Sequence, residues 1–394
     1  MSSKAKTTAT QEEATPALVP KLRFPEFRGA GGWKQTPLEY CLDYQQPTPY
    51  LVADTKYSPA FKTPVLTAGK TFILGYTDEQ NGIFSEGLPV IIFDDFTTAT
   101  QFVDFPFKVK SSAMKILQAK NGADIKFMYE TLQTLAYEVG AHERHWISIF
   151  APMSVPVPNP AEQQKIAECL SSVDNLIAAQ VRKVDALKTH KKGLMQQLFP
   201  MEGETQPHLR FPEFQNAGEW EESIVGELIV TITPPKKLQT SDYQPEGEFP
   251  IVDQSQDYIC GWTNDGEAVI DKGLPVIVFG DHTCALKFID QPFAQGADGI
   301  KILRPKRGID IRFLFCALEA DPVVQESYKR HFSILREKKL FYPDPKSGEQ
   351  HRIASCLSSL DALITLETQK LEALKTHKKG LMQQLFPSPE EIEA

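Results

Sequence analysis

At 394 residues the chain is long enough for two domains with additional long helices. An apolar content of 41% supports real cores, and no run of about 18 apolar residues offers a membrane span. The net charge of −9 argues against a protein that grips nucleic acid unaided by neutralising phosphates. It leaves room for one whose basic residues are clustered, or whose partners complete the clamp.

Residues 1–20 are rich in Ser, Thr, Ala and Lys and lack an apolar stretch. They read as a disordered tail, not a signal peptide. Residues 21–40 carry LRFPEF, a Gly-rich RGAGGW and the start of a short element. From Tyr50 to Leu117 the pattern is β, with strands expected at Val65–Leu66, Thr71–Thr77, Leu88–Phe93, Phe102–Val109 and Ala113–Leu117. A helix is expected over Asp124–Val139, with Ile125, Met128, Leu132, Leu135 and Val139 near one face. VPVPNP then punctuates the chain. Asn159 is placed to cap a helix and Pro160 to begin it.

That helix is a 39-residue run, Glu162 to Pro200, which returns as Glu349 to Pro387 with 27 of 39 positions identical at an offset of 187. Ile166, Leu170, Val173, Ile177, Val184, Leu187, Leu194 and Leu198 recur in a 4-3 rhythm. So do Ile353, Leu357, Leu360, Ile364, Leu371, Leu374, Leu381 and Leu385, and this spacing is a coiled-coil seam. Gln180 and Lys191, with their counterparts Glu367 and Lys378, interrupt it; polar seam residues fix register at a cost in stability. Each helix would be roughly 50 Å long.

The duplication extends to the globular parts. LRFPEF stands at 22–27 and 209–214, GLPVIIFDD (87–95) answers GLPVIVFGD (273–281), and ERHW (143–146) answers KRHF (329–332). In the second copy, strands are expected at Ile251–Val252, Tyr258–Thr263, Leu274–Phe279 and Ile300–Leu303, and a helix over residues 310–330. The fold class is therefore α+β: two globular domains separated by two long antiparallel helices, with an internal pseudo-twofold repeat. The helices are nearly alike and the domains have diverged, the pattern of one shared task with two different targets.

No GxxxxGK[ST] loop, strand-linked GxGxxG, HExxH or GxSxG is present. His282 near Cys284 has no further close ligands, so no metal site is expected. The six cysteines form no CxxC pair and read as apolar residues of a reducing cytoplasm. The expectation is a non-catalytic, cytoplasmic protein.

A variable domain followed by a helix that opens P-x-x-x-E-Q-x-x-I-A and closes K-x-G-L-M-Q-Q-L-F, all repeated, resembles the DNA-specificity subunit of type I restriction–modification systems. The motif stands at Pro158–Phe199 and Pro345–Phe386. The resemblance implies a tail (1–20), a first target recognition domain (21–160), a spacer helix (161–200), a second recognition domain (201–347), a second spacer helix (348–388) and a C-terminal tail (389–394). Each domain would read one half of a bipartite site on double-stranded DNA. The helices would set the gap and dock two methyltransferase subunits for adenine methylation. Restriction/translocase subunits would add cleavage. S-adenosylmethionine, ATP and Mg would be bound by those partners and none by this chain. The alternative is a coiled-coil scaffold without a DNA role.

Base reading needs donors and acceptors on loops. The loops after the GLPVI strands offer Asp94, Asp95, Thr97, Thr98 and Gln101 in the first copy, and Asp281, His282, Thr283 and Lys287 in the second. The alternative for these is an ordinary polar hairpin. The matched Arg144-His145 and Arg330-His331, followed by Ser148 and Ser333, fit phosphate or base contact, or else a helix C-terminal cap. Lys70, Lys110, Lys236, Lys237, Arg304, Lys306 and Arg307 are phosphate candidates. Leu194, Met195, Leu198 and Phe199, with Leu381, Met382, Leu385 and Phe386, form apolar helix ends expected to bind methyltransferase subunits or to brace the opposite domain.

Overall fold

A computed structural model of the chain describes residues 18–67, 69, 71–137, 139, 144–325 and 330–387. The chain divides into two compact units, residues 1–179 with 371–394, and residues 180–370. The first long helix, α3 below, begins in unit 1 and ends in unit 2; the second, α7 below, does the reverse.

In unit 1, β1 (Lys34–Pro37), α1 (Leu38–Cys41) and β2 (Leu42–Gln45) lead into β3 (Thr63–Leu66), β4 (Ile73–Thr77), β5 (Val90–Asp94), β6 (Thr100–Val103), β7 (Lys108–Val109) and β8 (Met114–Ala119). Then come α2 (Ile125–Thr134), β9 (Ser154–Val157) and α3 (Pro160–Leu198). The main sheet runs β2-β8-β5-β6, all antiparallel, and a smaller one runs β4-β3-β7. The continuous apolar run in β5 is explained by burial on both faces. Ile91 and Phe93 join Leu117 in a core with Phe127 and Leu132 of α2. Val90 and Ile92 join Ile116, Leu66 and Phe107 in a second core.

Unit 2 repeats this with β10 (Glu221–Ile224), α4 (Val225–Leu228), β11 (Ile229–Ile232), β12 (Phe249–Val252), β13 (Gly261–Thr263), β14 (Val269–Ile270), β15 (Val276–Gly280), β16 (Leu286–Ile289), β17 (Phe293–Gln295) and β18 (Ile300–Pro305). They are followed by α5 (Ile311–Ala320), α6 (Phe332–Glu337), β19 (Lys339–Tyr342) and α7 (Glu349–Leu385). Its main sheet is β11-β18-β15-β16. Ile277 and Phe279 face one core and Val276 and Val278 the other.

The long helices start where the sequence places them. The Asn159 side chain accepts from Glu162 N at 3.0 Å, the expected cap. Both domain helices are shorter than expected. After α2, Leu135 is extended and Val139 is exposed, so the apolar face does not continue. At α5, Pro322 disfavours helical geometry at Asp321. The strand expected over Phe102–Val109 is split, because Pro106 lies within it and cannot donate to a ladder.

The duplicated signatures seat each domain on the helices. Arg23 of the first LRFPEF donates from Nε and Nη2 to Glu162, both at 2.7 Å, inside the protein. Arg210 of the second grips Glu349 in the same bidentate way, with Nε at 2.8 Å. The next residue finishes the joint. Gln163 Oε1 accepts from Asp124 N at 3.0 Å, and Gln350 Oε1 accepts from Asp310 N at 2.8 Å. The E-Q of the motif thus joins each long helix to the residue that caps the domain helix, since Asp124 and Asp310 accept from Phe127 N and Phe313 N.

Within each unit the start of one long helix packs against the end of the other. In unit 1, Ile166 and Leu170 share a core with Leu385 and Phe386, and further along Asp174 meets Lys378. In unit 2, Gln180 meets Glu367, Lys191 meets Asp361, and Leu198 and Phe199 share a core with Ile353 and Leu357. Numbers rise on one helix as they fall on the other, so the packing is antiparallel. This corrects part of the expectation for the helix ends. Leu198, Phe199, Leu385 and Phe386 are buried, Met195 nearly so, and Leu194, Leu381 and Met382 pack against the same cores. Phe386 packs against Trp33 and Phe127, as Phe199 packs against Trp220 and Phe313. Met195, Leu198, Phe199, Leu385 and Phe386 complete domain cores and present no apolar face to a partner, while Leu194, Leu381 and Met382 stay partly exposed.

Candidate nucleic-acid interface

In unit 1 the turn between β5 and β6 is built by its own aspartates. Asp94 Oδ1 accepts from Phe96 N and Thr97 N, each at 2.9 Å, and Thr98 takes the left-handed conformation with φ 57°. Asp95 points inward. Its Oδ1 accepts from Trp146 N at 2.8 Å, and its Oδ2 contacts the ammonium of fully buried Lys115 at 3.1 Å. Its backbone oxygen accepts from His145 N and faces His145 Nδ1, both at 2.9 Å. That contact puts the ring proton on Nδ1. The consequence is positional: the segment Arg144–Ser148 is tied to the hairpin, and Arg144, exposed, is carried to its side.

Unit 2 repeats the anchor. Asp281 Oδ1 accepts from Phe332 N at 2.8 Å, and Asp281 O accepts from His331 N at 2.7 Å with Nδ1 at 3.1 Å. Exposed Arg330 is thereby held beside the β15–β16 turn. A third loop joins here. Lys287 is buried and donates to the backbone oxygens of Asp253 and Asp257 at 2.8 and 2.6 Å, clamping residues 253–257. Burial lowers its pKa from the ordinary lysine value. Thr283 donates to Gln254 O, and Asp281 N to Gly299 O. Any other residue at Gly299 (φ +101°) would be strained, since L side chains rarely adopt that conformation. The loop at 253–257 escaped sequence reasoning, because Thr283 and the buried Lys287, which tie it to the hairpin, lie far from it along the chain.

Comparison with known proteins follows the same lines. The Type I restriction modification DNA specificity domain family matches residues 217–376. The Type I restriction enzyme EcoR124I/EcoR124II specificity subunit of Escherichia coli is 32% identical over 376 residues, 85% of this chain and 88% of that relative. The chain belongs to the type I restriction enzyme specificity subunits. The MjaVIII specificity subunit of Methanocaldococcus jannaschii is 25% identical over 266 residues, covering 60% of this chain and 62% of the relative. The crystal structure of a type I S subunit from M. genitalium shares the fold, with a TM-score of 0.65 at 18% identity over 94% of this chain and all of that one.

For this specificity subunit, the expected contact residues separate into two groups. Asp95, His145, Asp281, Lys287 and His331 are corrected to interior positions, all at most 5% exposed. They hold the loops and cannot meet a duplex. Thr97, Arg144, Ser148, Arg330 and Ser333 are exposed, and Asp94, Thr98, Gln101, His282 and Thr283 are partly so. Ser148 donates to Arg144 O at 2.9 Å. Lys70 lies outside the described residues. Among the phosphate candidates, Lys236 is paired with Asp265, Lys237 with Asp298, and Arg304 donates to Gly273 O; Lys110, Lys306 and Arg307 are exposed. Among the described residues, no group of three or more His, Cys, Asp or Glu could hold a metal, and no helix is long and apolar enough to cross a membrane.

Proposed function

We propose that each unit of this specificity subunit reads one half of a bipartite, asymmetric site on double-stranded DNA, and that the two long helices fix the gap between the halves. The observation that carries the reading is a constant anchor under variable loops. Asp95 with His145, and Asp281 with His331, hold equivalent turns by the same bonds. The side chains of those turns differ at equivalent positions: Phe96 against His282, Thr98 against Cys284 and Gln101 against Lys287, while Thr97 and Thr283 are alike. Loops of unlike donors and acceptors on one scaffold are what two different base sequences require. Arg144 and Arg330 would contact phosphates and orient the duplex.

The chain itself would be non-catalytic. Two methyltransferase subunits docked on the helices would bring S-adenosylmethionine and methylate adenine, and restriction subunits would bring ATP and Mg for cleavage. Such partners would also supply most of the positive clamp, which accommodates a net charge of −9. The test is to express the subunit with its cognate methyltransferase in a host without adenine methylation and map methylated adenines. A two-part sequence with a fixed gap is expected. Methylation without sequence preference would overturn the reading.

A further inference from the structure

In unit 1, four side chains from three helices form a closed ring of alternating charge. Lys126 and Glu130 come from α2, Asp174 from α3 and Lys378 from α7. Lys126 Nζ lies 2.6 Å from Glu130 and 2.7 Å from Asp174; Lys378 Nζ lies 3.1 Å from Glu130 and 2.8 Å from Asp174. Glu130 is fully buried, and the two lysines are less than one-fifth exposed. Lys126 also lies over the Phe102 and Tyr129 rings, 5.0 and 4.8 Å from their centroids.

The ring links the domain to the helices at the point that matters for the hairpin. The α2 helix packs on β5, β6 and β8, and Gln133 of α2 hydrogen-bonds Thr100 of β6, two residues after Thr98. Apolar contact is non-directional and tolerates sliding, whereas charge-assisted hydrogen bonds are directional and short. Buried ion pairs add little net stability, and their better-attested use is to select one arrangement. A ring with members on all three helices restricts α2 in both translation and rotation.

Unit 2 lacks the closed ring. Cys316 stands at the position equivalent to Glu130. Lys191 contacts Asp361 at 2.6 Å and Glu319 only at 3.3 Å. Arg312, equivalent to Lys126, reaches Ser358 at 3.5 Å and Asp290 at 3.4 Å. Among the described residues its seat has one short charged contact, Lys191 to Asp361, and otherwise longer polar links.

We infer that the Lys126–Glu130–Lys378–Asp174 ring is a positioning device that sets where the unit 1 reading loop falls along the duplex, and so enforces a single gap length. It rests on the bipartite reading above. Burial pushes the Asp174 carboxyl up, but Lys126 and Lys378 outweigh it and hold it below its ordinary value. Both lysines therefore face a charged partner near neutral pH.

The test is the methylation map of the full complex carrying Asp174→Asn. Lys378→Gln serves as a second variant should the first not fold, and Asp174→Glu as the conservative rescue. The same half-site bases should be methylated, with sites one base pair longer or shorter in gap rising at least about tenfold over wild type. Asp174→Glu should restore the single gap, and Asp361→Asn in unit 2 should relax it less. A lowered melting temperature with an unchanged gap would reduce the ring to a structural role and overturn the inference. Altered half-site bases would place its effect in the reading loops and overturn it too. If the wild-type map has no two-part site, it is the bipartite reading that fails.

Discussion

The two units hold the same turn in place with different buried chemistry. In unit 1, Lys115 is fully buried against Asp95, and Trp146 closes the site. In unit 2 the equivalent lysine, Lys301, is only half-buried and lies over the Phe332 ring at 5.5 Å. The backbone bonds from Asp281 to His331 and Phe332 persist regardless. The anchor is therefore the aspartate–histidine backbone clamp, and the lysine is an addition that unit 1 depends on and unit 2 does not. Once a lysine is buried against a carboxylate, neither partner can be removed cheaply.

That contrast can be broken directly. Lys115→Met strands a buried carboxylate and should cost about 3–5 kcal/mol. Lys301→Met removes a cation from over the face of a ring and should cost about 0.5–1 kcal/mol. Urea unfolding of the full chain measures both, and equal costs would erase the distinction. A second contrast lies at the helix starts. Trp33 Nε1 donates to Glu162 at 3.3 Å, while buried Trp220 Nε1 has no partner among the described residues. Trp33→Phe should cost about 1 kcal/mol more than Trp220→Phe, the value of one hydrogen bond, readable in the same unfolding curves.

The smallest expected effect is pH-dependent. Glu367 accepts from Gln180 at 2.7 Å and from Lys183 and Lys370 at 3.0 and 3.1 Å. Gln180 first, then the two lysines, hold its carboxyl down to about 2. A depressed carboxylate stabilises the fold above its ordinary pKa of about 4.3, and that contribution fades as pH falls through the lowered value. Melting temperature should thus fall less for Glu367→Gln than for wild type between about pH 5 and 2. Parallel curves would dismiss the pair as a source of acid sensitivity.

Comparing the repeats also explains what could be read in advance. The long helices, the Asn159 cap and the sandwiched strands follow from period and composition, because apolar spacing reports burial directly. The contact residues were harder. Asp95 and His145 looked like polar loop residues, yet both recur at a fixed offset as Asp281 and His331. In a chain whose halves have different targets, a side chain kept in both copies does not distinguish the two sequences; where it is also buried, as Asp95 and His145 are, it belongs to the scaffold. The same holds for Arg23 and Arg210 with Glu162 and Glu349. Positions that differ, such as Gln101 against Lys287 or Thr98 against Cys284, carry no such signal, and whether they face out depends on tertiary packing. Lys287 faces inward because the loop at 253–257 offers it two carbonyls.

The claim that each unit reads its own half-site is tested most directly by altering one hairpin and mapping both halves. Replacing Thr97, Thr98 and Gln101 together, with Asp95 and His145 intact, keeps the anchor and changes only what the unit 1 turn presents. Genome-wide methylation by the assembled complex should then alter one half of the recognised sequence and leave the other half and the gap unchanged. Changes in both halves, or in neither, would contradict the account.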